Sequence, residues 1–383
     1  MKKTNVVIFG VTGSIGSSTI SILSNNSKSI NIEGITCNSN VRKLIKIAKT
    51  HNVKKIGFNE KSVKNFRKLH LNNYKVFNDL SDFHNIISDK TDVIIFAISG
   101  LSCLDLLLKL LKTGKKIGIA NKECIITLGN KFKKQSKKYN TQIIPLDSEH
   151  NSIYHLLKKD LGKYKSITIT ATGGPFLKFN RKELMKVTPS QAMRHPIWNM
   201  GKKISIDSAT MMNKALELIE AKYLFDLEES EINTVIHPQA IIHALINYEN
   251  GTSTAILNKP DMQIPIASLF FQFNKFSRVN YNLDLSSYMN LELIPLDKKK
   301  YPAIELSYLV MKMGGLAPHV LNYTNELLVN YFIMKKIKFT DIVELNKINL
   351  ERIFAKNSNI TEPKLIDINN INNWIDNNIF IGK

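Results

Sequence analysis

Two stretches of this 383-residue chain gather carboxylates beside hydroxyl, amide and ammonium groups. Asp147-Ser148-Glu149-His150 follows the apolar run Ile143–Leu146, which reads as a strand. In extended backbone, residues two apart point the same way, so Asp147 and Glu149 can face one ligand. Hard oxygen donors without Cys or clustered His suit Mg2+ or Mn2+. A solvated turn whose acids cap the next helix accounts for the same residues. The second stretch runs from Ser208 through Asn213, Lys214 and Glu217 to Glu220. On a single helix over Ala209–Leu224, with Ser208 at its start, spacings of three and four cluster those side chains. Asn213 and Lys214 suit a phosphate, and Glu217 can complete a metal site. An ordinary surface Lys–Glu pair is the competing reading.

Two further segments could bind or cover a ligand. Ala171-Thr172-Gly173-Gly174-Pro175-Phe176 can present backbone amides and the Thr172 hydroxyl to an anion, or be a plain loop. The segment from Met193 to Lys202 mixes His195, Trp198, Met200 and Gly201. It fits a lid that excludes water, although a Trp is more often core and a lone His more often structural.

A cofactor loop stands near the start. Gly10-Val-Thr12-Gly13-Ser14-Ile15-Gly16 follows the strand Val6–Phe9 and opens a helix. Such a loop brings backbone amides and a helix N-terminus to a pyrophosphate. The end of the second strand, Asn38-Ser39-Asn40, carries no carboxylate, and Arg42 and Lys43 follow closely. An NAD site would hold the ribose hydroxyls with an acid there, so NADPH is favoured over NADH. A polar strand-end turn with no ligand is the alternative.

These residues need a scaffold, and the periodicity supplies one. Strands are expected at Val6–Phe9, Ile30–Thr36, Lys55–Phe58, Val93–Ile98, Lys116–Ile119 and Gln142–Leu146. Helices are expected at Ser17–Ser24, Val41–Thr50 and Leu104–Leu111. The alternation predicts an α/β chain whose N-terminal part, 1–147, is a doubly wound, Rossmann-like parallel sheet. A central α+β catalytic part, 148–285, has strands at Lys165–Ala171, Val235–Ile236 and Thr252–Leu257. A linker over 286–300 leads to a small helical bundle, 301–383, with helices near Ala303–Met313, Asn322–Lys336, Phe339–Arg352 and Ile368–Asn377.

Composition narrows the function classes. The formal net charge is +21, with basic residues spread along the chain and no nucleic-acid module pattern. That spread argues against a nucleic-acid or membrane-surface partner and favours an anionic substrate. Three scattered cysteines make no disulfide framework or metal clip. No apolar run approaches a membrane span or an export signal, so a cytoplasmic protein is expected.

Several blocks together resemble 1-deoxy-D-xylulose 5-phosphate reductoisomerase. They are Gly13-Ser-Ile-Gly16, Ala120-Asn-Lys-Glu123, Pro145-Leu-Asp-Ser-Glu-His-Asn151, Gly173-Gly-Pro-Phe176, His195-Pro-Ile-Trp198, Ile204 to Lys214, Ile236-His-Pro-Gln239, Lys259-Pro-Asp-Met262 and Phe339-Thr-Asp-Ile342. The resemblance implies a homodimer that uses NADPH and one divalent cation (Mg2+, Mn2+ or Co2+). The implied reaction rearranges and reduces 1-deoxy-D-xylulose 5-phosphate to 2-C-methyl-D-erythritol 4-phosphate in non-mevalonate isoprenoid synthesis. It implies Asp147, Glu149 and Glu217 as metal ligands, and Lys122, Glu149 and His195 as catalytic groups. Lys122, Ser148, Glu149 and His195 would contact substrate oxygens; Thr172, Ser208, Asn213 and Lys214 would hold its phosphate. Thr12, Gly13, Ser14, Ile15, Asn38, Ser39, Asn40, Asn121, Glu123 and Gly201 would line the NADPH site, with Trp198 and Met200 in a closing flap. Thr172 stands where that family usually has Ser, and Asn38-Ser39-Asn40 lacks a basic residue often found there. Another NADP-dependent dehydrogenase of a phosphorylated or hydroxy-acid substrate is the competing enzyme class.

Overall fold

A computed structural model describes residues 3–63, 71–159, 162–198, 201–270 and 283–382. The first half alternates strand and helix: β1 Thr4–Phe9, α1 Ser14–Ser24, β2 Ile30–Cys37, α2 Val41–Thr50, β3 Lys55–Phe58, β4 Lys75–Phe77, β5 Val93–Phe96, α3 Leu104–Leu111, β6 Lys116–Ile119, α4 Lys122–Leu128, α5 Asn130–Lys138, β7 Ile143–Pro145 and α6 Ser148–Leu156. Then come β8 Tyr164–Ala171, α7 Arg181–Leu184, α8 Pro189–Ala192, α9 Lys202–Ala209, α10 Met212–Phe225, β9 Ile232–Ile236, β10 Ile242–Tyr248, β11 Ser253–Leu257 and α11 Gln263–Ser268. Four longer helices close the chain: α12 Pro302–Met313, α13 Ala317–Ile333, α14 Asp341–Lys356 and α15 Leu365–Asn378.

The chain forms two compact units. The first comprises Met1–Cys124, Phe132–Tyr154 and Asp261–Asn282. Its seven-stranded sheet has the order β4-β3-β2-β1-β5-β6-β7, all parallel. Strands buried on both faces need continuous apolar runs, and Val6–Phe9 and Val93–Phe96 are fully buried ones. The order reverses beside β1, so the loop after β1 sits at the switch point where such sheets bind ligands. Besides the helices α4, α5 and α6, for which no span was expected, β4 and α11 escape a period-based reading. β4 is three residues long, below the length at which alternation registers. α11 returns late in the chain, and Leu269 packs where any Cβ on Gly118 would lie 2.5 Å from its side chain.

The second unit comprises Ile125–Lys131, His155–Pro260 and Leu283–Lys383. Its sheet has the order β11-β10-β8-β9, antiparallel except for β8–β9. One face buries Ile167, Ile169, Ile232, Ala244 and Ile246. The expected helix over Ala209–Leu224 is α10, which starts three residues later because Met211 turns left-handed at φ 62°, and a separate helix, α9, ends at Ala209. Ser208 therefore lies in the last turn of α9 rather than at a helix start. β10 was not expected; its apolar residues flank His243 and Asn247, which blur the alternation.

The Asn-rich tail is ordered by its amides and its apolar stripe. Ile368, Ile371 and Ile375 bury one face of α15. Asn372 Oδ1 receives a 2.7 Å hydrogen bond from the buried His319 ring, which burial pushes down to about 4 and so keeps neutral. Asn349 exchanges two bonds with the Phe380 backbone, at 2.7 and 2.8 Å. Among the described residues, no helix is long and apolar enough to cross a membrane.

Ile375 is fully buried. Ile375→Ala should lower unfolding stability by about 2–4 kcal/mol, read as a lower urea midpoint; a midpoint within experimental error of the parent would show that α15 is not packed.

Candidate active site

In the first unit the cofactor loop has the geometry its glycines imply. Gly10 takes φ +88°, and a Cβ there would meet the Ala97 carbonyl oxygen at 2.5 Å. A Cβ on Gly16 would strike the Gly10 carbonyl at 2.4 Å, so that glycine lets helix and strand touch. At Gly13 the nearest atom to an added Cβ is 3.5 Å away, which leaves the loop open on its outer side. α1 begins with no side-chain cap and no acid in its first turn. Its first amides, those of Ser14 and Ile15 included, are therefore available to an anion.

Lys43 has a role the sequence did not reveal. Its Nζ donates to the Thr12 carbonyl at 2.9 Å and to Ser17 Oγ at 2.8 Å. It thus ties α2 to the loop, whereas Arg42 is exposed. Asn38, Ser39 and Asn40 are exposed at the end of β2, and Asn40 Oδ1 caps α2 through the Lys43 amide. The signal was there in part: a Lys in the first turn after a strand that ends beside the loop. Asn121 is buried, and its side chain donates to the Ile98 and Gly100 carbonyls while accepting from Cys124 N. Its amide therefore orients the β6–α4 turn, with Lys122 and Glu123 half-buried beside it.

The carboxylate pair is not extended. Asp147 precedes α6 and its Oδ1 lies 3.3 Å from the Glu149 amide, while Asn151 N reaches the Asp147 carbonyl at 2.8 Å. The helix begins because Asp147 caps it, so the alternation argument fails even though both acids stay in one turn. Lys122 Nζ is 3.1 Å from Asp147 Oδ2, and Ser148 Oγ donates to Glu149 Oε2 at 2.5 Å. Asn151 donates to Pro145 O and Ser268 Oγ, pinning α6 against β7 and α11.

The second unit holds the remaining groups. Thr172, Gly173 and Gly174 make a tight turn after β8. Gly174 is at φ +67°, and a Cβ there would lie 2.9 Å from the Ser208 carbonyl. The glycine therefore lets the turn press against the end of α9. His195 Nδ1 accepts from the Ile197 and Trp198 amides at 3.1 and 2.9 Å. Desolvation pushes its pKa down to about 4. The ring is therefore neutral, with its proton on Nε2, 3.2 Å from Thr172 Oγ1. Gly174 N donates to the same oxygen at 3.3 Å. Thr172 Oγ1 thus receives two donors, and its own hydrogen is directed elsewhere. On α10, Asn213 Nδ2 donates to Glu217 Oε1 at 2.5 Å and Lys214 Nζ pairs with Glu217 Oε2. Lys214, Glu217 and Glu220 are each at most 4% exposed, which excludes the surface-pair reading. Gly201 caps α9 with open space around its Cα, and Met200 lies outside the described residues. A cavity of about 690 Å³ along β9, lined by Asn233, Thr234, Lys298 and Tyr308 among others, contains none of these groups.

Comparison with known proteins agrees with this layout. Family descriptions of 1-deoxy-D-xylulose 5-phosphate reductoisomerase match residues 6–129, and its C-terminal domains match 143–225 and 257–377. The enzyme of that name from Clostridium tetani is 36% identical over 374 residues, covering 96% of this chain and 97% of its own. The one from Wolbachia pipientis is 39% identical, covering 94% and 92%. The chain belongs to the 1-deoxy-D-xylulose 5-phosphate reductoisomerase family. A crystal structure of such a reductoisomerase with NADPH, fosmidomycin and magnesium superposes with a TM-score of 0.87 at 32% identity, covering 98% and 97% of the two chains. The Zymomonas mobilis reductoisomerase with NADPH gives 0.88 at 32% identity, covering 97% of each chain. The doubly wound sheet and helical C-terminal region expected from the sequence are those of this reductoisomerase family.

Two outcomes test the geometry. His195 should titrate below pH 5 with the Nε2–H tautomer dominant in 15N-detected NMR; a midpoint near 6.5 would refute the buried neutral ring. Because the folded value lies below the unfolded one, His195's contribution to stability is present above about pH 6.5 and is lost as pH falls toward 4. Lys43→Met should raise the KM for NADPH about tenfold through loss of the charged hydrogen bonds, with the substrate KM unmoved; an unchanged NADPH KM would show the tie to be dispensable.

Proposed function

We propose that this chain converts 1-deoxy-D-xylulose 5-phosphate to 2-C-methyl-D-erythritol 4-phosphate with NADPH and one divalent cation. The observation that carries the reading is full-length likeness to reductoisomerases whose structures contain NADPH, fosmidomycin and magnesium. Family membership and the chemistry of the donors support the assignment of residues.

The residues fit the groups they would hold. Asp147, Glu149 and Glu217 offer only hard carboxylate oxygens, the set that suits Mg2+, Mn2+ or Co2+. Glu217 is 2% exposed, and the cation that a carboxylate so desolvated needs is supplied in this structure by the Lys214 ammonium. When bound, the cation supplies Lewis-acid polarisation of the substrate carbonyl, and NADPH supplies the hydride. Lys122, held near Asp147, donates to a substrate oxygen as charge builds on it. Ser148 and Glu149 orient the substrate hydroxyls, and the neutral His195 contacts them without adding charge. Thr172 and Ser208 hydroxyls, the Asn213 amide and the Lys214 ammonium hold the phosphate, away from the reacting carbons. Binding energy spent there orients the substrate and draws the flap around Trp198 and Met200 over it.

The α1 N-terminus and the residues Thr12, Gly13, Ser14 and Ile15 take the pyrophosphate of NADPH. Asn38, Ser39 and Asn40 meet the ribose end, and Asn121, Glu123 and Gly201 also belong to the NADPH site in this reading. The parts 1–147, 148–285 and 301–383 act as the cofactor, catalytic and helical domains of this reading. A cytoplasmic homodimer belongs to it as well.

The test is NADPH oxidation with the pentulose phosphate, with and without Mg2+ or Mn2+, with a branched polyol phosphate as product. A simple alcohol as product would reassign the chain to another dehydrogenase class. Glu217→Gln should reduce kcat at least about a hundredfold and raise the metal concentration for half-activity. Near-normal turnover at low metal would remove Glu217 from the metal site.

A further inference from the structure

A buried hydrogen-bonded chain runs from α9 into the C-terminal helices. Asp207, one residue before Ser208, has a side chain only 3% exposed. Its Oδ2 receives Lys203 Nζ at 2.7 Å, and its Oδ1 receives Asn325 Nδ2 of α13 at 2.7 Å. Asn325 Oδ1 in turn accepts from Asn346 Nδ2 of α14 at 3.3 Å. Asn346 Oδ1 accepts from Thr324 Oγ1 at 2.7 Å, and its Nδ2 also reaches the Ile342 carbonyl at 2.9 Å. Asn325, Asn346 and Thr324 are fully buried.

We propose that Asp207, Asn325 and Asn346 are positioning residues: through them α13 and α14 set where α9 ends, and so where Ser208 and the Gly174 turn present their donors to the substrate phosphate. This rests on the reading of Ser208 as a phosphate donor. Three features argue for positioning rather than packing. First, α9 is eight residues long with no side-chain cap at its start, so it has little stability of its own to fix its register. Second, the contact is directional. An apolar pair would seal the same space at less desolvation cost, while a carboxylate gripped on both oxygens tolerates no slippage. Third, the gripped residue is in the turn that matters: the Ser208 carbonyl and Ala209 Cα lie within 3.2 Å of where a Gly174 Cβ would be. A shift of α9 by a few tenths of an ångström therefore moves Ser208 and opens the turn that holds Thr172.

The test uses the full chain with NADPH, metal and 1-deoxy-D-xylulose 5-phosphate, with inorganic phosphate as competitive inhibitor. Asn325→Leu should raise the substrate KM and the phosphate inhibition constant about tenfold each. The expected fall in kcat is under threefold, and the NADPH KM should not move. Asn325→Asp sets two carboxylates against each other and should be worse. The swap Asp207→Asn with Asn325→Asp restores one donor facing one carboxylate, and should bring both constants back to within about threefold of the parent. If Asn325→Leu is folded and leaves both constants unchanged while Ser208→Ala raises them, the chain is packing only and the proposal is overturned. If Ser208→Ala changes neither constant, the phosphate reading itself fails and the proposal falls with it. Should Asn325→Leu not fold, the swap decides: recovery over Asn325→Asp supports the proposal, and a folded swap with no recovery overturns it.

Discussion

Met211 adopts left-handed backbone at φ 62° between α9 and α10, a conformation that costs an L-residue about 1–2 kcal/mol. Its side chain is 2% exposed, so burial helps hold it there. Thr210 assists: its hydroxyl donates back toward the Ile206 and Asp207 carbonyls and accepts from the Met212 amide. Had the helix run on, Ser208 and Asn213 would lie on one continuous cylinder and the Asn213 amide would be used within it. The reversal starts a new helix, so Asn213 and Lys214 occupy a first turn whose amides have no intrahelical partner. Strain at one residue thus ends one helix with Ser208 beside the Gly174 turn and starts another that carries Lys214, which is the kind of place where strain is retained.

Helix starts divide the ligands by charge. α1 and α10 have no side-chain cap and no acid in their first turns, so their dipoles and amides favour negative groups. α6 carries Asp147 as its cap and Glu149 in its first turn. Asp147 accepts from a helix amide, and the negative charge of both acids suits a cation and repels phosphate. The proposed ligands follow this division: pyrophosphate at α1, substrate phosphate at α10, metal at α6.

Much of this was legible in the sequence, for physical reasons that also explain what was not. α2 and α3 occupy the spans read from periodicity, because an amphipathic helix declares both its ends and its face. The cofactor loop was legible because a strand, three glycines and a helix constrain one another. Residues that act through backbone conformation were not. Met211 carries no signal of a left-handed turn, so α10 was read as starting three residues early, and of the two readings of Asp147, extended or helix-capping, the capping one holds. Asn325 was missed, and Lys43 was read only as a cation near the strand end, because their partners, Asp207, Thr12 and Ser17, lie 26 to 118 residues away. Periodicity reports which face is buried and is silent about which polar atoms meet inside.

The burial of ionisable groups in the second unit follows one rule. Lys214 and Glu217 are paired, Asp207 is paired with Lys203, and His195 is neutral. A lone buried charge would be expensive, whereas each of these has a partner or has lost its proton. The chain is strongly basic, at +21, yet the donors proposed for the phosphate are two hydroxyls, an amide and a single ammonium. Clustering more lysines there would raise affinity but would add like-charge repulsion to the ligand-free fold and disturb the neighbouring carboxylates. Neutral dipoles already fixed in place bind an anion without that penalty. The basic excess, spread over the rest of the chain, is left to attract anionic ligands at long range, where it does not compete with the site's internal pairs.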